Sequence, residues 1–286
     1  MDKVFVKGTA IGFDLKTWQE DPEIFSSILL SAVQTWIQNI LKVEIPDVLA
    51  REFGKIENAY YGIEGDIHNL SVNIHLIKHI LSNKSLDTQF KSLYVSLLTE
   101  NYIINLRSIY DFTSYFPRIC MSEKEVVKLK NVKNGDSINS FKKSLDKLVS
   151  EDQFILNIKQ LFERTEKDLG NIIRIRDLIV HKGKETIITL KENQPYFFIS
   201  GRGQSSEENS LPDIMNLGNK DYPLFGYLRI LTRNLIHYME HLGYNIIEEM
   251  QKRSDKNKNK LELTALIGYC MKEFNDFLND IMTDGN

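Results

Sequence analysis

The chain has 286 residues, 42% of them hydrophobic and 26% charged, with 15 glycines and only 6 prolines. This is the composition of a folded globular protein, one large domain or two small ones, and it excludes collagen-like, mucin-like and disordered classes. A net charge of -3 advertises no gross basic field for nucleic acid, although a local patch can outweigh an acidic total.

At the start, Val4, Phe5, Val6, Ile11, Phe13 and Leu15 with Gly8 and Gly12 suggest an extended or hairpin-like arm. The run Val4-Phe5-Val6 is too short for the apolar region of an export signal, so a cytoplasmic location is expected. Asp21-Pro22-Glu23 gives a cap, a first-turn proline and an acidic start for a helix to about residue 41. That stretch carries Ser26, Ser27, Ser31, Gln34, Gln38 and Asn39, which a bilayer span would leave facing lipid, so no membrane partner is expected. Ile45-Pro46 and Gly54 are expected to break the chain.

Apolar residues then recur every three or four positions over 56–81, from Ile56 through Ile63, Ile67, Leu70, Ile74 and Ile77 to Leu81, which predicts one face of a long helix. A second long helix is predicted over 87–115, stopped by Pro117. Residues 131–140 are polar around Gly135 and read as a loop or a short element. A third long helix begins near Glu151-Asp152 and runs to Val180, with Lys182-Gly183 as its stop. The β-rich runs 186–190 and 196–199 signal a hairpin, and 201–209 form a polar loop. Helix returns over 222–250, breaks in the charged stretch 252–260, and gives way to an amphipathic segment over 261–282. The expected fold is mainly α, an antiparallel bundle of long helices with one small inserted β-hairpin. Its parts are an arm and helix (1–55), a helical domain (56–250, hairpin at about 186–200), and a charged linker with a C-terminal helix (251–286).

The most informative segment is 171–181, ending Arg174-Ile175-Arg176-Asp177-Leu178-Ile179-Val180-His181. Ile172, Ile173, Ile175, Leu178, Ile179 and Val180 make it apolar on nearly every side. Arg176 is therefore expected on a buried face, where a guanidinium needs an anion or acceptors nearby. In a continuous helix Arg176 and His181 point about 140° apart. They are expected to converge only if the helix ends before His181, or if two copies meet at a two-fold axis.

Arg176-Asp177-x-x-x-His181 resembles the motif of the HEPN superfamily (higher eukaryotes and prokaryotes nucleotide-binding domains), in which four to six residues, the first of them Asn, Asp or His, separate Arg from His. It stands at the end of a long helix with another long helix to follow, as in that family. Leu106-Arg107-Ser108-Ile109-Tyr110-Asp111 resembles the central helix of several bacterial members, and the resemblance covers roughly residues 56–250. It implies a homodimeric, metal-independent endoribonuclease with a composite site at the two-fold, in a setting of defence or toxin–antitoxin biology. An antitoxin or other protein partner is a further implication.

RNA carries its own nucleophile in the ribose 2′-OH, so such a protein supplies a proton carrier and a cation. His181 would be general base or acid, and Arg176 would hold the phosphate and stabilise charge developing on it. Asp177 would orient Arg174 or hydrogen-bond His181. The products would be a 2′,3′-cyclic phosphate and a 5′-hydroxyl, with no metal or other cofactor. Arg107 and Asp111, one turn apart, can pair with each other, or hold Arg176 or receive RNA if they face the bundle. Between Ser122 and Lys191, 15 Lys and Arg stand against 11 Asp and Glu, a modest local excess that suits a phosphate-rich substrate.

Two other readings stay open: a catalytically inactive HEPN-like module binding RNA, nucleotide or a protein, and an unrelated bundle in which Arg176 makes a structural ion pair and His181 caps the helix. His68, His75 and His79 form one helical stripe without the glutamate or third ligand of a metal site. Arg233, Asn234, His237 and His241 read as packing and surface residues. Cys120 and Cys270 lack CxxC spacing, which excludes a disulfide framework or a four-cysteine zinc site.

Overall fold

The computed structural model describes residues 24–25, 27–40, 47–130, 137–191, 194–201, 203, 208–218, 221–256, 268–269 and 271–280. The expected N-terminal arm, the Asp21-Pro22-Glu23 cap, Ile45-Pro46, Gly135 and much of the 201–209 loop and of the 252–260 stretch lie outside these residues. The chain is mainly helical with a small antiparallel sheet, as its periodicity implies. In order come β1 (Ile24–Phe25), α1 (Ile28–Ile40), α2 (Asp47–Ser82), α3 (Thr88–Thr113), a 3-10 turn (Phe116–Cys120), α4 (Glu123–Lys130), α5 (Ile138–Lys147) and α6 (Gln153–Lys182). The hairpin β2 (Glu185–Lys191) and β3 (Gln194–Ser200) follows, then β4 (Tyr222–Pro223), α7 (Leu224–Lys256), β5 (Gly268–Tyr269) and α8 (Lys272–Asn279).

Several boundaries differ from the sequence reading, each for an identifiable reason. The first helix starts at Ile28, not residue 21, because Ile24–Phe25 pairs antiparallel with Gly268–Tyr269. Gly54 does not break α2. Glycine costs a helix interior only about 1 kcal/mol, and the buried Glu52 and Ile56 hold the turn on either side. Helices α4 and α5 went unforeseen in a lysine-rich stretch. Val126 and Leu129 bury the first, and Ile138, Phe141, Ser144 and Leu145 the second, at helical spacing. Ser137 caps α5 through the Ser140 N–H, and Asp111 Oδ1 accepts the Ile138 N–H at 2.9 Å. Helix α7 continues past 252 to Lys256, supported by the Glu248–Lys252 and Glu249–Arg253 pairs one turn apart, each at 2.8 Å. Tyr222-Pro223, read as helix, instead adds a third strand against Tyr196-Phe197.

Two compact units account for the packing, and the four long helices α2, α3, α6 and α7 each contribute to both. The first comprises residues 1–65, 109–166 and 235–269. Phe162 and Tyr110 flank Tyr238 in its core, with ring centroids 6.0 and 5.4 Å away. The buried Arg118–Glu52 pair lies at 3.4 Å, and Arg118 also donates to Ser114 O at 2.9 Å. Helix α1 is seated by α7. Glu240 accepts the Ile28 N–H, an orphan donor of the first turn, at 3.1 Å. At Gly243 a Cβ would lie 2.4 Å from Leu29 N, so the two main chains touch directly.

The second unit comprises residues 66–108, 167–234 and 270–286. Tyr102, fully buried, shares a 2.6 Å hydrogen bond with Thr232 and meets Phe277 edge-on. Arg229, 1% exposed, donates from Nε to Phe277 O at 2.6 Å. Arg233 donates to Leu278 O at 2.6 and 3.1 Å. The hairpin is fastened at its root, where Glu100 accepts the Thr186 N–H at 3.0 Å and the Ser96 hydroxyl bonds to Thr186 O.

Two predictions follow from the seat of α1. Gly243→Ala forces α1 and α7 apart and lowers stability by about 2 kcal/mol or more in urea denaturation, despite alanine's better helix propensity. Burial pushes the Glu240 carboxyl up from 4.5 to about 7, against the opposing pull of Ser27 and the Ile28 N–H. The folded chain therefore binds more protons than the unfolded chain between those values, and this contribution to stability falls as pH rises through that window. Glu240→Gln should flatten the decline relative to wild type in melts taken from pH 5 to 8.

Candidate functional site

The C-terminal half of α6 covers only one of its sides. Leu169, Ile172, Ile175 and Leu178 are buried, Ile173, Arg176 and Ile179 are half-buried, and Val180 and His181 are exposed. The expectation that Arg176 lies on a buried face is therefore corrected, since its side chain is 32% exposed, with 44% for Asp177 and 62% for His181. An apolar count around a helix does not say which side has a neighbour.

The helix runs unbroken to Lys182, and even so Arg176 Nη1 lies 2.5 Å from His181 Nε2 within one chain. Five residues separate them by about 7.5 Å along the axis and 140° around it. The long arginine side chain spans that gap, and neither an early helix end nor a second copy is required. The same Nη1 lies 3.2 Å from Asp177 Oδ1, and Asp177 Oδ1 is 4.0 Å from His181 Nε2. Asp177 therefore turns to Arg176 rather than to Arg174, which is exposed on the same helix and sends its field to the Tyr227 phenol.

A guanidinium only donates hydrogen bonds, so in this arrangement His181 Nε2 accepts and the imidazole proton sits on Nδ1. The helix ends immediately beyond. Gly183 takes φ +58°, the left-handed conformation that glycine adopts without steric cost, and the Lys184 N–H returns to Leu178 O at 3.1 Å. The stop read from Lys182-Gly183 is in place, and β2 begins two residues later. Chemically, the end of α6 presents a cation with donors to spare, an imidazole and one carboxylate, each at least partly open to solvent.

Among the described residues, the other sequence candidates make no hydrogen bond or ion pair with this cluster. The polar partners of Arg176 among the described residues are Asp177 and His181. Arg107 is buried on α3, and Asp111 holds the start of α5. Of the histidine stripe, His75 pairs with Glu273 at 3.3 Å and stacks on His79. Among the described residues no group of three or more His, Cys, Asp or Glu side chains is placed to hold a metal ion. No described helix is long and apolar enough to cross a membrane.

Sequence reasoning passed over Arg164 and the contact between His237 and His241, whose Nε2 atoms are 3.0 Å apart. The i,i+4 spacing of the two histidines was the available signal. Comparison with protein-family models, curated proteins and solved structures found no match to this chain.

Exposed ion pairs contribute little to stability, ~0–1 kcal/mol. Arg176→Ala and His181→Ala are accordingly expected to melt within a few degrees of wild type, measured by circular dichroism, so that any change in their activity reports on chemistry and not on folding.

Proposed function

We propose that this chain is a metal-independent endoribonuclease of the HEPN type, acting in the cytoplasm as a homodimer. The observation that carries the reading is the direct Arg176–His181 contact at the solvent-exposed end of α6, with Asp177 beside it. Cleaving RNA through its own 2′-OH needs a proton carrier next to a cation that can grip a phosphate, and these are the two groups in contact. In the working site the phosphate draws the Arg176 guanidinium into paired N–H···O bonds. That frees His181 Nε2 to take the 2′-OH proton as the oxygen attacks phosphorus. The imidazolium so formed gives a proton to the departing 5′-oxygen, leaving a 2′,3′-cyclic phosphate and a 5′-hydroxyl. Asp177, retained on Arg176 or shifting to the imidazolium, keeps the pair oriented.

The homodimer has its own support in α3. Phe90, Leu93, Tyr94, Leu97 and Ile104 follow one another largely at helical spacing and are all exposed, Leu97 by 65%. Such an apolar stripe suits covering by a second copy. The family's setting in defence or toxin–antitoxin systems comes with the same reading, and an antitoxin would then be a further partner.

One observation favours the inactive alternative, a module that binds RNA, nucleotide or a protein without cleaving. The nitrogen that would accept the 2′-OH proton is occupied by Arg176. If a phosphate cannot displace that bond, the same groups hold a ligand and do no chemistry.

The test is cleavage of structured and unstructured RNAs in excess EDTA, with product ends identified by mass spectrometry. Wild type should give cyclic-phosphate ends, and His181→Ala should lose about 100-fold or more of the rate, with a comparable loss for Arg176→Ala. Binding without cleavage by wild type would select the inactive module, and equal cleavage by all three proteins would remove both residues from the chemistry.

A further inference from the structure

A polar cleft of about 230 Å³ opens in the first unit between α6 and α7, lined by Asn157, Gln160, Leu161, Arg164, His241 and Asn245. The α6 residues stand at i, i+3, i+4 and i+7 and so share one helix face, while His241 and Asn245 share a face of α7. Leu161 is buried and forms an apolar floor. Every other lining side chain is polar.

The charges around this cleft are one-sided. Arg164 is exposed and has no ion-pair or hydrogen-bond partner among the described residues. His237, one turn before His241, meets it Nε2 to Nε2 at 3.0 Å with the rings nearly perpendicular, so one ring must donate to the other. His241 is held below the usual histidine range by burial first, then by the charges of His237 and Arg164. Among the described residues no carboxylate contributes to that shift. Of the acidic side chains nearby in sequence, Glu166 is turned to Lys142, Glu240 to the start of α1, Glu248 to Lys252 and Glu249 to Arg253. Glu163, exposed next to Arg164, makes no ion pair with it and does not line the cleft.

The amides are also disposed to donate. Asn157 Oδ1 already accepts from Gln153 at 2.8 Å, so what Asn157 has left to offer is its N–H2 group, and the Gln160 amide is on the same face. A cleft whose lining holds a guanidinium, a histidine and amide donors but no acid is complemented by an anion. Donors arriving from two helices around an open volume fit the several acceptors of a tetrahedral oxyanion better than the two of a planar carboxylate. We infer that this cleft binds a phosphate group, with Arg164, His241 and the amides of Asn157 and Gln160 as its donors. It shares no residue with the Arg176–His181 pair and stands or falls separately from the nuclease reading.

The experiment follows the histidine ring C–H signals of the full chain by NMR while sodium phosphate is added at constant ionic strength. His237→Asn and His241→Asn assign the signals. A saturable shift of both rings is expected, together with a rise in the pH at which His241 titrates. Arg164→Gln should weaken binding about tenfold or more, the loss of a charged hydrogen bond, and Arg164→Lys should restore part of it. Because Arg164 is exposed, unchanged melting of Arg164→Gln is expected and confirms that its fold is intact. Competition with AMP, and with a 5′-phosphorylated 2′-O-methyl RNA that cannot be cleaved, tells a mononucleotide from a nucleic-acid phosphate, and displacement by either supports the site. Shifts that never saturate with any of the three probes, or that are unchanged in Arg164→Gln, would overturn it.

Discussion

Helix α7 carries polar side chains to the ends of two shorter helices, and the order of both units depends on it. Within the first unit Glu240 meets the start of α1. Within the second, Arg229 and Arg233 meet the last carbonyls of α8. The two arginines have the sign the helix dipole requires at a negative end, and Glu240 supplies an acceptor for an unpaired N–H of the first turn of α1. Helices of 13 and 8 residues are too short to be stable alone in water, so their existence rests on being docked. Arg229 shows how tight that docking is. Its guanidinium is almost wholly removed from water, and a carbonyl, the Asp280 carboxylate and the Phe277 ring take the place of solvent.

This arrangement explains which parts of the fold could be read along the sequence. Long helices bury one face over many turns, so their apolar period is visible, and α2, α3, α6 and α7 were all found. The hairpin was equally legible, because β-branched and aromatic runs flank its turn. The start of α1 was not. Its first donor is satisfied by a residue 212 positions away, and no local cap announces a bond made at that range. Helices α4 and α5 were hidden because their few apolar contacts sit among lysines. Asp111 places the start of α5, a reciprocal Ser122–Glu125 cap starts α4, and packing holds both.

The candidate site was legible for a different reason. Arg176, Asp177 and His181 lie within six residues on one helix, so sequence spacing alone brings them near. What spacing hid was reach. An angular separation on the helix surface describes where side chains begin, and arginine is long enough to end somewhere else. The cleft at Arg164 illustrates the opposite limit. Asn157, Gln160 and Arg164 on α6, and His241 and Asn245 on α7, are unremarkable sets of surface positions until the two helices pack side by side.

The fastening on either side of His181 has a consequence for how freely the pair can move. Gly183 turns the chain directly after the helix, and Thr186 is held through both its N–H and its carbonyl by side chains of α3. The main chain at His181 is thereby confined between a helix and a tethered strand. What remains is torsional choice: two angles for the imidazole and four for the guanidinium. Immobilising an arginine side chain costs ~1–2 kcal/mol of rotamer entropy, and here part of that ordering is done by the protein before any anion arrives. A ligand that exchanges one partner of Arg176 for another meets a group already narrowed to a few rotamers, so the pair is organised for exchange of partners more than for capture from disorder.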